Sequence, residues 1–142
     1  MQKKFTKIIL AILFIIFTVQ ISSAQITYTG NFTPAVNDYV SLSGTLGSPS
    51  VWVTPATWGK VTSVTGTVPN QVINYTVATS APANTVSVYI LPNTVVQIQG
   101  TAAALCQHLY LDNGGILNAD NPSSGTLRSL VVGPSADRKS VV

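Results

Sequence analysis

Proline interrupts this chain at positions 34, 49, 55, 69, 82, 92, 122 and 134. Inside a helix each proline removes a backbone donor and clashes with the preceding turn, a loss of about 3 kcal/mol or more. The residues between the prolines do not favour helix either. Segment 25–136 holds 15 Val, 15 Thr and 11 Ser, side chains that suit a pleated strand or bond locally in turns. Apolar and polar residues alternate with period 2 over residues 71–77 and 85–91, and residues 50–54 are apolar at their centre. The one helix-like stretch is residues 100–107, with Ala102-Ala103-Ala104-Leu105. It is too short to persist alone and is expected to form a single turn at most. The pattern predicts an all-β protein.

Two regions differ in strand length. Residues 25–92 carry runs of five to eight residues separated by turn clusters such as Leu46-Gly47-Ser48-Pro49 and Ala81-Pro82-Ala83-Asn84. That spacing predicts an antiparallel, sandwich-like or cap region. From residue 93 the apolar runs shorten: Val95-Val96-Gln97-Ile98, His108-Leu109-Tyr110-Leu111, Gly115-Ile116-Leu117-Asn118, then residues 127–132. Leu109 and Leu130 lie 21 residues apart, one coil of a solenoid made from short strands. Residues 93–136 are therefore expected to begin a β-solenoid of at most two coils. A single β-sandwich spanning both regions is the alternative.

The second region resembles a known kind of protein. A strand at residues 93–98 precedes Cys106-Gln107-His108-Leu109-Tyr110-Leu111, which has a Cys-x-x-Leu-x-Leu pattern. A Gly-Gly-x-Leu turn and strand follows at Gly114-Gly115-Ile116-Leu117, and then a short strand within residues 126–133. This series resembles the opening of right-handed parallel β-helix regions in large secreted bacterial surface proteins, of the kind exported by the type IX pathway. The likeness covers residues 93–133 and departs from the pattern at residues 102–105. It implies an N-terminal fragment of an adhesin-like or polysaccharide-associated protein, with a sorting domain further along the gene.

Both ends are read separately from the fold. Lys3, Lys4 and Lys7 precede an apolar stretch, and Ser22-Ser23-Ala24 offers small residues for a signal peptidase. Residues 1–24 are thus expected to be a signal peptide, cleaved between Ala24 and Gln25. The uninterrupted apolar run, residues 8–17, is ten residues, against the ~20 that span a bilayer. A secreted or outer-surface location without a membrane anchor follows. The last six residues, 137–142, match the translation of a common sequencing adapter. On that reading they are an artefact, and the natural gene continues past Ala136.

Charge is almost confined to those ends. The whole chain has a formal net charge of +3, but residues 25–136 retain only Lys60 and Arg128 against Asp38, Asp112 and Asp120. The basic balance therefore predicts no nucleic-acid partner. His108 is the sole histidine and glutamate does not occur, so neither a histidine metal cluster nor a supported catalytic triad can be assembled. Cys106 reads as a small buried hydrophobe, and His108 as an outward strand residue. Asp112-Asn113-Gly114-Gly115 and Asp120-Asn121-Pro122-Ser123 are turn signals. Turn chemistry accounts for both without calcium, and no cofactor is expected.

Aromatic residues supply the one binding signal. Trp52, Trp58, Tyr75 and Tyr89 are candidate platforms for stacking on sugar rings, with Trp52 also suited to anchoring a core. Three functions of different class follow. One is a non-catalytic adhesive or structural surface segment, whose partner is a polysaccharide or a neighbouring cell surface. The second is a carbohydrate-binding module. The third is the lead-in to a polysaccharide lyase or hydrolase located downstream.

Overall fold

The computed structural model describes residues 23–99, 103–119 and 130–132. The strands are β1 (Ala24–Tyr28), β2 (Tyr39–Ser41), β3 (Ser50–Val51), β4 (Trp58–Thr67), β5 (Asn70–Val77), β6 (Ser87–Ile90), β7 (Val95–Gln97), β8 (Ala104–Cys106), β9 (His108–Leu111), β10 (Ile116–Asn118) and β11 (Leu130–Val132). A 3-10 turn, Pro55–Thr57, precedes β4. The protein is all-β, with mixed sheets that do not close into a barrel. The alanine-rich stretch expected to turn helically supplies β8 instead. Ala104 and Cys106 are both fully buried while Leu105 is half-buried, so the period-2 demand of a sheet overrides alanine's helix preference.

Strand pairing combines antiparallel and parallel modes. The largest sheet has six strands in the order β1-β5-β4-β2-β6-β9. Its first three contacts are antiparallel, and β2 with β6 and β6 with β9 are parallel. A second sheet, β10-β7-β3, and a third, β11-β8, are wholly parallel. Ser87 pairs with His108 and Val95 with Ile116, each 21 residues apart. The 21-residue interval expected between Leu109 and Leu130 thus occurs between other residues. Leu109 pairs with Val88, and Leu130 pairs with Ala104. Pairing also runs across residue 93, since β6 bonds to β9 and β3 to β7.

The six-stranded sheet is covered on both faces around β2 and β6, as parallel strands require. Alternate residues enter different clusters. Tyr39, Val88 and Ile90 join Trp52, Trp58, Val96, Ile98, Ala104 and Cys106 on one side. On the other, Val40, Tyr89 and Leu91 join Tyr28, Val61 and Ile73, with Phe32 and Tyr110 packed against them. The second cluster is closed by Tyr28 at the end of edge strand β1 and by the segment that follows it, where the Asn31 N–H reaches Asp112 and the Phe32 ring packs near Tyr89 and Tyr110. That placement creates the features described next.

Candidate functional site

Trp52 and Trp58 do not present ring faces to a ligand. They are 1% and 0% exposed, meet edge to face at 5.0 Å between ring centroids, and are tied by the Trp58 Nε1 donation to Trp52 O at 2.7 Å. Their position reflects size: two large rings fill the space where β3, the 3-10 turn and β4 meet, and burial of such rings dominates a small core. Tyr89 is also buried, in the opposite cluster, and stacks on Tyr110 at 4.5 Å with 10° between ring planes. Burial and the Asp38 carboxylate hold its hydroxyl well above the ordinary tyrosine range. Tyr75 is half-buried on β5 and packs over Gly59. Only Trp52 and Trp58 are brought together, inside the core, and the four residues form no common platform.

Asp112 is more than a turn former. It is 5% exposed, and Oδ2 accepts from the Tyr28 hydroxyl and, at 3.1 Å, from the Asn31 N–H. Oδ1 accepts from the Asn113 N–H at 2.7 Å. The Tyr28 hydroxyl in turn accepts from the Phe32 N–H at 3.3 Å. Burial works to raise the Asp112 pKa, but these donors outweigh it and hold the carboxyl below its usual value. Burial and the bond to Asp112 push the Tyr28 hydroxyl up. The pair pins the N-terminal segment onto β9. The expected turn does form at Asn113–Gly114, with Gly114 at φ +84° and Gly115 N–H bonded to Asp112 O. Only a partner 84 residues away in the chain gives the aspartate its second role, so local pattern could not reveal it.

His108 and Cys106 lie in different surroundings. His108 is exposed, with Nδ1 3.4 Å from Ser87 Oγ. Cys106 is buried, and that burial pushes its thiol up to about 12, where thiolate is negligible at neutral pH. Among the described residues no group of three His, Cys, Asp or Glu side chains lies close enough to hold a metal. Asp120 and residues 137–142 lie outside the described residues. Among those described, no helix is long and apolar enough to cross a membrane. Ala24 opens β1 and Gln25 follows it, with its side-chain amide donating to Asn74 Oδ1 at 2.8 Å.

A cleft of about 260 Å³ opens where the end of β1 approaches β2 and the β6–β7 turn. Ile26, Leu42 and Pro92 give it apolar walls, and Thr27, Thr29 and Asn93 give it polar ones. Behind these, Ser41 Oγ and Thr94 Oγ1 lie 2.5 Å apart, Leu91 N–H donates to Ser41, and Thr94 donates to Leu91 O. Sequence reading missed this site because its three walls are far apart in the chain. Compared with protein-family models, curated proteins and solved structures, the chain matches none.

Proposed function

We propose that this chain is a non-catalytic, adhesive or structural segment of an exported cell-surface protein, built on stacked parallel β-coils. The observation that carries the reading is the order of the parallel pairs. β6, β7 and β8 pair with β9, β10 and β11 in the same sequence, as successive coils of a solenoid would. β2 and β3 pair in parallel with β6 and β7 and would form an earlier, interrupted coil. The interruption is the β4–β5 hairpin, which together with β1 would cap the stack by covering the free edge of β2. The resemblance to right-handed β-helix surface proteins is the finer form of this proposal. An almost uncharged surface fits contact work better than acid–base chemistry, and the buried Tyr28–Asp112 pair is committed to holding the chain together.

The test is adhesion of beads bearing the full chain to polysaccharide-coated surfaces. Capture should persist in high salt, because few charges are available for screening to weaken. Cleavage of pectin or alginate by the purified chain, lost on His108→Ala, would overturn the reading.

A further inference from the structure

We infer that the cleft between β1, β2 and the β6–β7 turn is a binding site for a single neutral sugar residue. Size limits the ligand first. At about 260 Å³ the cleft falls just below the range of drug-sized pockets, roughly 300–1,000 Å³, enough for one ring but not an oligomer. Charge limits it next. Among the described residues that line the cleft only Tyr28 is ionisable, and its hydroxyl is committed to Asp112. Nothing there would compensate the desolvation of a phosphate, a carboxylate or an ammonium group.

The wall chemistry then selects among neutral ligands. Thr27, Thr29 and Asn93 are exposed and take no part through their side chains in the hydrogen bonds among the described residues. Each can both donate and accept, which suits vicinal hydroxyls that do the same. Ile26, Leu42 and Pro92 offer an apolar surface for the C–H face of the ring. The site is also preformed. The chain of bonds through Ser41, Thr94 and Leu91 fixes its floor. Asn93, at φ +61°, is held by its N–H bond to Gly114 O at 3.0 Å. A rigid site loses little ordering entropy when it binds. The inference gives the adhesive reading a ligand class and rests on that reading only for the surface that presents the sugar.

Saturation-transfer NMR on the full chain tests it, with neutral hexoses, deoxyhexoses and N-acetylhexosamines as probes and glucuronate and glucosamine as charged comparators. Transfer is expected to the neutral sugars alone. Asn93→Gly keeps the left-handed backbone and removes the amide, and Thr27→Val keeps the strand and removes the hydroxyl. Each should weaken binding about tenfold, the equivalent of one lost hydrogen bond at ~1.4 kcal/mol, whereas Thr65→Val on β4 should not. Amide spectra of the variants confirm folding. No transfer to any neutral sugar, or unchanged binding by Asn93→Gly and Thr27→Val, would overturn the site. Sugar binding without bead adhesion would count against the adhesive reading alone.

Discussion

Replacing Gly30 with alanine should show how much of the fold depends on pinning the N-terminal segment to β9. Gly30 is buried, and a Cβ there would overlap both Asp112 Oδ2 and the Tyr28 hydroxyl. Neither atom can move freely. The carboxylate is held by Tyr28, Asn31 and Asn113, and the Tyr28 ring is 2% exposed within its cluster. A hydrogen bond to a charged group contributes ~1.5–3 kcal/mol, and a buried polar group left unpaired costs ~1–3. Losing the Tyr28 bond and straining the Asn31 bond therefore costs about 3 kcal/mol. Alanine's smaller unfolded-state entropy offsets ~0.4–1 kcal/mol of that, leaving about 2–3. In a domain of this size, at ~3–5 °C per kcal/mol, Tm should fall by roughly 10 °C in thermal unfolding followed by circular dichroism at pH 7. Gly47→Ala, with no atom within 4 Å of its new Cβ, is the control and should change Tm little. Combining Gly30→Ala with Tyr28→Phe should cost less than the two single changes summed, because the second removes one of the overlapping atoms. A Gly30→Ala protein that melts within about 2 °C of the native chain would refute the reasoning.

Acid unfolding should expose the same pair. Asp112 has a depressed folded-state pKa, so its contribution is fully present above the unfolded value of ~3.9. It is lost as pH falls below that value and through the folded one. Urea midpoints should therefore fall more steeply for the native chain than for Asp112→Asn below about pH 4; equal slopes would show that the carboxylate contributes nothing. Trp58→Ala should destabilise by ~3–5 kcal/mol, as loss of a fully buried large aromatic does, and a denaturant midpoint close to the native one would contradict its burial. Cys106 should resist a thiol reagent at pH 8 until urea unfolds the chain, and rapid native labelling would contradict the raised pKa.

Strand positions were legible wherever apolar alternation was unbroken. Residues 71–77 lie in β5, and residues 108–111 and 116–118 form β9 and β10. Legibility failed where one residue has to serve two demands. Residues 50–54 suggested a single strand, yet β3 ends at Val51 and the chain turns through Trp52 and Val53. Sending Trp52 into the core beside Trp58 takes precedence over extending the ladder. By sequence Trp52 is the aromatic best suited to a core and Trp58, beside a turn, is left open, yet both are buried; nothing local reliably distinguishes a ring in a core from a ring on a surface. Gly30, by contrast, has no side chain to attract notice, and its importance depends on a carboxylate far along the chain.

Pairing partners are harder to read than strands, and the spacings explain why. The intervals between parallel partners are 21 residues from Ser87 to His108, 26 from Ala104 to Leu130, 49 from Tyr39 to Val88 and 46 from Ser50 to Val96. A constant period survives only where a short turn joins consecutive strands. The long intervals arise because β4 and β5 intervene, and these pair antiparallel with each other and with β2 and β1. A sheet tolerates such an insertion because each strand needs only backbone partners on its two sides, and loop closure grows slowly more costly with length. What must be preserved is which face each residue occupies: a slip of one residue at β6 would exchange Val88 and Ile90 for Tyr89 and Leu91. Those two pairs belong to opposite clusters, and the Tyr89–Tyr110 stack would be lost with them. Register is thus specified by the two-sided burial of β6, while the chain length between partners is left free to vary.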